Sequence, residues 1–223
     1  MSRGSGGLAI LIPAAGAAAR MRGRDKLLET VRGQPLLADR VAAASTACAA
    51  SAASTAPRAP GPVLVTLPSR ERAPGRWDAL EGSGAHLVEV ATPGDGLSAS
   101  LAAGIDALPA LASGVMILPA DMPDITADDI RALLAAFDGT TILRGASAGG
   151  TPGHPVLFPA RDFPALAALT GDRGGKALLE AANARVTLVP LPGDHAVTDL
   201  DTPEDWAAWR ARNPGAANAK GRA

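Results

Sequence analysis

The stretch LAILIPAAGAAARM, residues 8–21, decides the fold of this chain. Its first six residues are apolar and predict a buried β-strand over residues 8–13. The strand runs directly into a turn, residues 14–20, that consists of alanine and glycine up to its last residue, Arg20. Small side chains let a backbone approach a polyphosphate closely, so that successive N–H groups can bind the anion. The stretch therefore predicts an α/β protein whose first loop, at the carboxyl end of a strand, binds a ligand.

Positive charge is concentrated just after this turn, at Arg20, Arg24 and Lys26. An arginine can form paired hydrogen bonds to phosphate oxygens, whereas a lysine offers a compact point charge. The turn is neither of two better-known phosphate loops, since both G-x-x-x-x-G-K-[ST] and G-x-G-x-x-G are missing after the first strand. Spacing alone leaves a second interpretation open, in which a small-residue turn precedes a solvated basic stretch.

Apolar, β-branched segments alternate with alanine-rich and leucine-rich segments along the chain, which is typical of parallel α/β architecture. The pattern predicts further strands over residues 63–68, 86–92, 115–120, 140–143, 155–158 and 185–190, and helices over 35–53, 98–111, 126–137, 163–169, 176–182 and 203–212. We expect one domain over residues 8–212, with a disordered N-terminus (1–7) and a disordered tail (213–223), because both ends are rich in small and polar residues.

Composition excludes several classes of function. The 21 basic and 22 acidic residues nearly cancel, which argues against a nucleic-acid-binding surface. No apolar run reaches the roughly 18 residues of a membrane span, so no membrane association is expected. Cys48 is the sole cysteine and has no internal disulfide partner. These features predict a cytoplasmic protein.

Asp121 follows the predicted strand over residues 115–120 and precedes Pro123. A carboxylate at the carboxyl end of a strand is well placed to hold a hard cation against phosphate oxygens, and Mg²⁺ typically takes one or two protein carboxylates plus substrate phosphates. The alternative is that Asp121 merely caps the turn before the next helix, which is a common role for aspartate.

An ordered set of motifs resembles the MobA-like nucleotidyltransferase superfamily, and within it the molybdenum cofactor cytidylyltransferase branch. The motifs are PAAGAAARM (13–21), DKLL (25–28), GLSASL (96–101), LPADMP (118–123), GHPVLF (153–158) and DLDTPED (199–205). The sequence departs from the family pattern at Ala18, where the family usually has serine, and at Arg22, which lengthens the loop by one residue before Gly23. The resemblance implies a three-layer α/β/α Rossmann-like fold with a mostly parallel mixed sheet.

The resemblance also implies a set of site residues. The catalytic residues would be Arg20, Lys26 and Asp121; the nucleotide-binding residues Ala14, Ala15, Gly16, Arg20, Lys26, Ser98, Ser100 and Asp121; the acceptor-binding residues His154, Asp172 and Arg173; and the metal ligands Asp121, Asp199 and Asp201. Residue types alone leave Ser98 equally suited to capping a helix and His154 to a structural hydrogen bond. The nucleotidyltransferase interpretation requires that Lys26 and Asp121 meet around one triphosphate and its magnesium ion.

The implied reaction is Mg²⁺-dependent transfer of CMP from CTP to a molybdopterin-type acceptor, with a molybdoenzyme or delivery protein as a client. CTP is favoured because Ala15 stands where guanylyl-transferring members carry glycine, and the added methyl group would crowd a purine. Three alternatives remain: a guanylyl- or sugar-phosphate nucleotidyltransferase, a non-catalytic carrier that delivers cofactor, and a dinucleotide oxidoreductase. The missing glycine fingerprint disfavours the last of these.

Overall fold

Strand β1 (Leu8–Pro13) lies in the middle of the sheet and supplies side chains to both hydrophobic cores. Ile10 and Ile12 pack into the core on one face of the sheet, whereas Ala9 and Leu11 pack into the core on the other face. Successive side chains of a strand point to opposite faces, so a central strand covered on both sides needs an unbroken apolar sequence. The structure is a computed structural model, and it describes residues 7–16, 19–52, 60–91, 96–171 and 174–218.

Seven strands form one mixed sheet in the order β5-β4-β1-β6-β8-β7-β9. The remaining strands are β4 (Pro60–Leu67), β5 (His86–Glu89), β6 (Gly114–Ile117), β7 (Ile142–Ala146), β8 (Pro152–Pro159) and β9 (Val186–Pro190). Only the pairs made by β8 are antiparallel, to β6 and to β7. A separate short ladder pairs β2 (Thr30–Val31) with β3 (Gln34–Pro35). The prediction of a mostly parallel mixed sheet is confirmed.

Helices cover both faces of this sheet. They are α1 (Leu36–Ala52), α2 (Pro74–Asp78), α3 (Leu97–Asp106), α4 (Ala127–Ala136), α5 (Phe163–Ala167), α6 (Gly174–Ala181), α7 (Pro203–Arg212) and α8 (Pro214–Asn218). Helices α1, α4 and α7 contribute to the core on one face, and α3 and α5 contribute to the core on the other. The three-layer α/β/α prediction is therefore confirmed. No helix in the described part of the chain is long and apolar enough to cross a membrane.

Two expectations need correction. The helix predicted to begin at Ser98 begins at Leu97 and ends at Asp106, and its N-cap is Gly96. The tail predicted to be disordered from residue 213 is helical over Pro214–Asn218, because Ala216 packs against the core and its carbonyl accepts a 2.7 Å hydrogen bond from the N–H of Arg32. Residues 1–6 of the predicted disordered N-terminus and residues 219–223 of the predicted disordered tail lie outside the described residues.

Candidate active site

A cleft of about 840 Å³ opens at the carboxyl ends of β1 and β6. Its walls come from the loop after β1, the first turn of α3, the segment after β6, the start of β8 and the segment that precedes α7. Its charged and polar lining residues are Arg20, Lys26, Ser100, Asp121, Arg144, His154, Asp199 and Asp201. Most of the sequence-predicted site residues that the structure describes thus meet in one cavity, where the Rossmann-like topology predicts a ligand.

Lys26 joins two of the predicted carboxylates. Its Nζ donates to Asp121 Oδ2 at 2.6 Å and to Asp201 Oδ1 at 2.7 Å, and Arg20 Nη1 lies 2.7 Å from Asp201 Oδ2. Burial by itself lowers the pKa of Lys26, but the charges and hydrogen bonds of Asp121 and Asp201 outweigh burial and raise that pKa. Lys26 therefore stays protonated at neutral pH, and the required meeting of Lys26 with Asp121 is present.

The third predicted carboxylate, Asp199, lies in the same cleft. A backbone hydrogen bond of 3.1 Å from Leu200 N–H to the Asp121 carbonyl holds the 199–201 segment beside the end of β6. Burial raises the pKa of Asp199, and the negative charges of Asp121 and Asp201 raise it further. A cation placed among the three carboxylates would relieve this repulsion.

The donor set fits a magnesium ion that shares its ligands with a substrate. In the described part of the chain, no group of three or more His, Cys, Asp or Glu side chains is arranged to hold a metal ion. Mg²⁺ does not require such a cage, because it binds through one or two carboxylates and completes its shell with phosphate oxygens and water. Asp121 with Asp199 or Asp201 suits that mode of binding, and metal ligation by these residues stays a prediction.

The loop after β1 only partly matches its predicted contacts. Ala14 and Gly16 line the cleft, and the N–H of Ala14 donates to the Thr66 carbonyl at 2.9 Å. Ala15 and Ser98 are buried and are not among the lining residues, so the structure does not bring these two predicted nucleotide contacts to the cleft surface.

Helix α3 reaches the cleft through Ser100, which lines it. This helix packs very closely on the sheet, because a Cβ at Gly104 would lie 2.4 Å from the Leu11 side chain. The close approach sets where the first turn of α3 meets the loop after β1.

Of the three residues predicted to bind the acceptor, His154 lines the cleft, whereas Asp172 and Arg173 lie outside the described residues. Burial, together with the nearby charge of Arg144, lowers the pKa of His154 to about 4 against the opposing effect of Asp121. Nδ1 of His154 is buried without a hydrogen-bond partner among the described groups. His154 is therefore neutral at pH 7 and carries unused hydrogen-bonding capacity.

Sequence reasoning missed Arg144, which lies on β7 and lines the cleft. Its Nε donates to the Gly153 carbonyl at 2.9 Å, and none of the described carboxylates forms an ion pair with it. The other two cations of the lining, Arg20 and Lys26, both pair with Asp201. The available sequence signal was a charged residue within the apolar segment TILRGA, residues 141–146. Arginine rarely occurs inside an apolar strand unless its charge has a partner.

Sequence reasoning also missed Arg76, which is only 4% exposed. Its guanidinium donates to the carbonyls of Ala14 (2.6 Å) and Gly16 (2.9 Å) and to both carboxylate oxygens of Asp25 (2.6 and 3.0 Å). Arg76 lies in a polar segment on the one-turn helix α2, and no periodicity distinguishes it from its exposed neighbours.

The comparisons with known proteins agree with this geometry. A family model described as "MobA-like NTP transferase domain" matches residues 10–186. The chain is 30% identical to the purine catabolism protein PucB of Bacillus subtilis (strain 168) over 123 residues, which is 54% of this chain and 58% of that protein. The chain thus spans less than two thirds of the length of this curated relative.

Two solved structures are similar over almost the whole chain. One is the Mycobacterium tuberculosis Rv0371c homolog from Mycobacterium sp. strain JC1, with 28% identity, a TM-score of 0.74, and coverage of 92% of this chain and 96% of that one. The other is Rv0371c of M. tuberculosis H37Rv in complex with manganese, with 22% identity, a TM-score of 0.71, and coverage of 91% and 97%. The second likeness shows the shared fold alone.

Proposed function

Because this chain belongs to the MobA-like NTP transferase family, we propose that it is a Mg²⁺-dependent cytidylyltransferase that transfers CMP from CTP to a molybdopterin-type acceptor. The observation that carries the proposal is the cluster of Lys26, Asp121 and Asp201, with contacts of 2.6 and 2.7 Å at the edge of the cleft. Cation and carboxylates meet at the carboxyl ends of the strands, where a triphosphate and a metal ion would need both.

The proposed reaction is an in-line displacement at the α-phosphorus of the nucleotide. An oxygen of the acceptor phosphate forms a bond to this phosphorus, and the bond from the phosphorus to the bridging oxygen breaks, so that pyrophosphate leaves with the electron pair. Such a transfer asks mainly for positioning and charge neutralisation from the protein. Lys26 and Arg20 would hold the departing phosphate oxygens.

Asp121, with Asp199 or Asp201, would hold the magnesium ion. When bound, Mg²⁺ would supply positive charge against the phosphate oxygens as negative charge develops on them. Rv0371c, a protein of similar fold, has been solved in complex with manganese, which is also a divalent ion. Lys26 would then release the carboxylate oxygens and bind phosphate oxygens instead. Its raised pKa keeps Lys26 positively charged, as a contact with phosphate requires.

The acceptor would lie at the end of the cleft formed by Arg144 and His154. Arg144 is positively charged and lacks a described carboxylate partner, so a negatively charged acceptor would pair with it. His154 is uncharged at neutral pH and would contribute a hydrogen bond. These two residues support a phosphorylated acceptor.

The preference for CTP rests on the Ala14-Ala15-Gly16 sequence of the loop after β1, which the family resemblance associates with cytidylyl transfer. Because the Ala15 side chain is buried, this loop would act on the nucleotide through its backbone.

The test is pyrophosphate release from CTP, GTP, ATP and UTP with Mg²⁺ and a molybdopterin-type acceptor. We expect CTP to be used in preference to the others. The variant Asp121→Asn is expected to lower the rate by about a hundredfold or more, since several kcal/mol of charge stabilisation is removed. The matched control is Asp128→Asn, an exposed carboxylate in the first turn of α4, which should keep the wild-type rate.

Each other outcome points to a different function. A preference for GTP would make the protein a guanylyltransferase of the same fold. Turnover only with sugar phosphates as acceptors would make it a sugar-phosphate nucleotidyltransferase. Binding of CTP without pyrophosphate release, whichever acceptor is supplied, would instead indicate a non-catalytic carrier. Absence of binding by all four nucleotides would refute the transferase proposal altogether.

A further inference from the structure

We propose that Arg76 is a positioning residue that sets the spacing between the phosphate-binding loop after β1 and the turn that carries Lys26. The inference rests on the proposed function, since it assigns to these two segments a shared triphosphate. Four hydrogen bonds of 2.6 to 3.0 Å leave from one buried guanidinium, two toward the loop and two toward the turn.

On the loop side, Arg76 fixes the orientation of peptide groups. The carbonyls of Ala14 and Gly16 both point at its Nη1, at 2.6 and 2.9 Å. In a planar trans peptide the N–H of the next residue points opposite to the carbonyl, so the N–H of Ala15 is directed away from Arg76. Without this clamp, the alanine-rich and glycine-rich loop is free to rotate its peptide planes, because small side chains restrict the backbone little.

On the turn side, Arg76 holds Asp25, which precedes Lys26. Both carboxylate oxygens of Asp25 accept from the guanidinium, and Oδ1 also accepts from the Leu27 N–H at 3.0 Å. Asp25 is thereby the N-cap of the 3₁₀ turn Lys26–Leu28. The paired contact fixes the carboxylate plane, and the cap transmits that orientation to the backbone on either side of Lys26.

The helix that presents Arg76 lies directly on this turn. A Cβ at Gly75 would lie 2.7 Å from Leu28 Cδ1, so α2 and the turn are in close contact. The chemistry also requires arginine. A guanidinium has five donors in a rigid plane, whereas a lysine ammonium is a single point that cannot reach a carboxylate and two carbonyls at once.

The experiment compares Arg76→Lys with wild type by calorimetric titration of CTP and CMP, and in parallel of GTP and GMP, all with Mg²⁺. A misaligned loop and turn weaken contacts to the β- and γ-phosphates, which the monophosphates lack. We expect the triphosphate Kd to rise by about tenfold or more and the monophosphate Kd by less than about twofold, since small misplacements in a phosphate site are costly. Asp25→Asn keeps the capping oxygen but loses the charge, and should shift binding in the same direction.

The matched control is Arg70→Met, which removes the exposed ion pair between Arg70, in the turn before α2, and Asp78 on α2. It should leave all four dissociation constants unchanged. The proposal is overturned if Arg76→Lys binds triphosphates as wild type does, or if it weakens triphosphates and monophosphates equally, as a loss of structure would. Failure of the wild type itself to bind any triphosphate would instead count against the proposed function.

Discussion

At the scale of single residues, three arginines that face inward hold the backbone around the cleft. Arg40 donates to the Met122 carbonyl at 2.9 Å and to the Ile125 carbonyl, Arg76 donates to the loop after β1, and Arg144 donates to the Gly153 carbonyl. A buried charge is costly unless hydrogen bonds satisfy it, so each arginine constrains the segment that supplies its acceptors. The loops that carry Asp121, Gly16 and His154 are each fixed in this way.

His154 leads to a prediction on pH. Burial and the charge of Arg144 lower its pKa from 6.5 to about 4. Between pH 6.5 and pH 4, His154 is therefore protonated in the unfolded chain but neutral in the folded chain. The resulting stability is present above pH 6.5 and is lost as the pH falls toward 4. We expect the free energy of unfolding contributed by His154 to fall by about 2 kcal/mol between pH 7 and pH 5.

Urea denaturation of the wild type and of His154→Gln at both pH values measures this contribution. The variant should lose less stability than wild type on acidification, by about that amount. His86→Gln, at an exposed histidine on β5, is the control and should follow the wild-type dependence. Equal pH dependence in wild type and His154→Gln would contradict a buried, neutral imidazole.

At the scale of elements, helix α7 connects the core to the carboxylates of the cleft. Trp206 and Trp209 are fully buried on it, their rings meet edge to face at 6.1 Å, and Trp209 Nε1 donates to Asp124 Oδ1 at 2.7 Å. The two tryptophans are three residues apart, so they lie on one face of the helix, and that face packs into the core. The docked helix begins at Pro203, two residues after Asp201, and its Asp205 carboxylate accepts a hydrogen bond from the Asp201 N–H, so its N-terminus helps to place Asp201.

The capping box of α7 yields a prediction at this scale. Thr202 accepts from the Asp205 N–H, and the Asp205 carboxylate accepts from Thr202 and from the N–H of Asp201 at 3.2 Å. We expect Thr202→Ala to lower the free energy of unfolding by about 1 kcal/mol, as loss of a cap does. It should also weaken binding of CTP with Mg²⁺, because the backbone at Asp201 loses its anchor.

Chemical denaturation and titration with CTP and Mg²⁺ check the two parts separately. The matched control is Thr126→Ala, which removes the same kind of capping box from α4 and has no hydrogen bond to the 199–201 segment. The control should lose about the same stability while keeping its affinity for CTP. Equal loss of affinity in both variants would mean that the cap of α7 has no specific role in the site.

At the scale of the whole molecule, one reversed strand brings the side of the cleft proposed for the acceptor next to the side proposed for the nucleotide. Strand β8 runs antiparallel to β6, with Val156 opposite Ile117, so the start of β8 lies beyond the carboxyl end of β6. This direction places Gly153 and His154 at the sheet edge where Asp121 emerges. Were β8 parallel to its neighbours, the same residues would lie at the opposite edge.

If nucleotide binds in the cleft as proposed, it should raise the melting temperature (Tm) of the protein. A ligand that binds only the folded state stabilises the protein by about 2.7 kcal/mol at a hundred times its Kd, which corresponds to roughly 5–10 °C in Tm for a chain of this size. We expect this shift with CTP plus Mg²⁺, and a clearly smaller shift with CTP plus EDTA, since the carboxylates then repel the triphosphate. A Tm that responds to CTP equally with and without Mg²⁺ would argue against a metal-bridged nucleotide.

Much of this protein was determined by its sequence alone. The apolar run of β1, the alternation of strands and alanine-rich helices, and the caps Thr126 and Thr202 all follow from local periodicity and capping chemistry. The family resemblance also required Lys26 and Asp121 to meet around one triphosphate. Their 2.6 Å contact joins positions 95 residues apart.

Other features depend on the tertiary structure. Arg76 and Arg144 are held beside the cleft by backbone carbonyls of other segments, and no local sequence pattern indicates which carbonyls those are. Ala15 and Ser98 were assigned to the ligand from their motifs, yet both are buried and neither lines the cleft. Local sequence sets which segments become strands, helices and turns, whereas the direction of each side chain and the partner of each buried charge are settled only when the layers pack together.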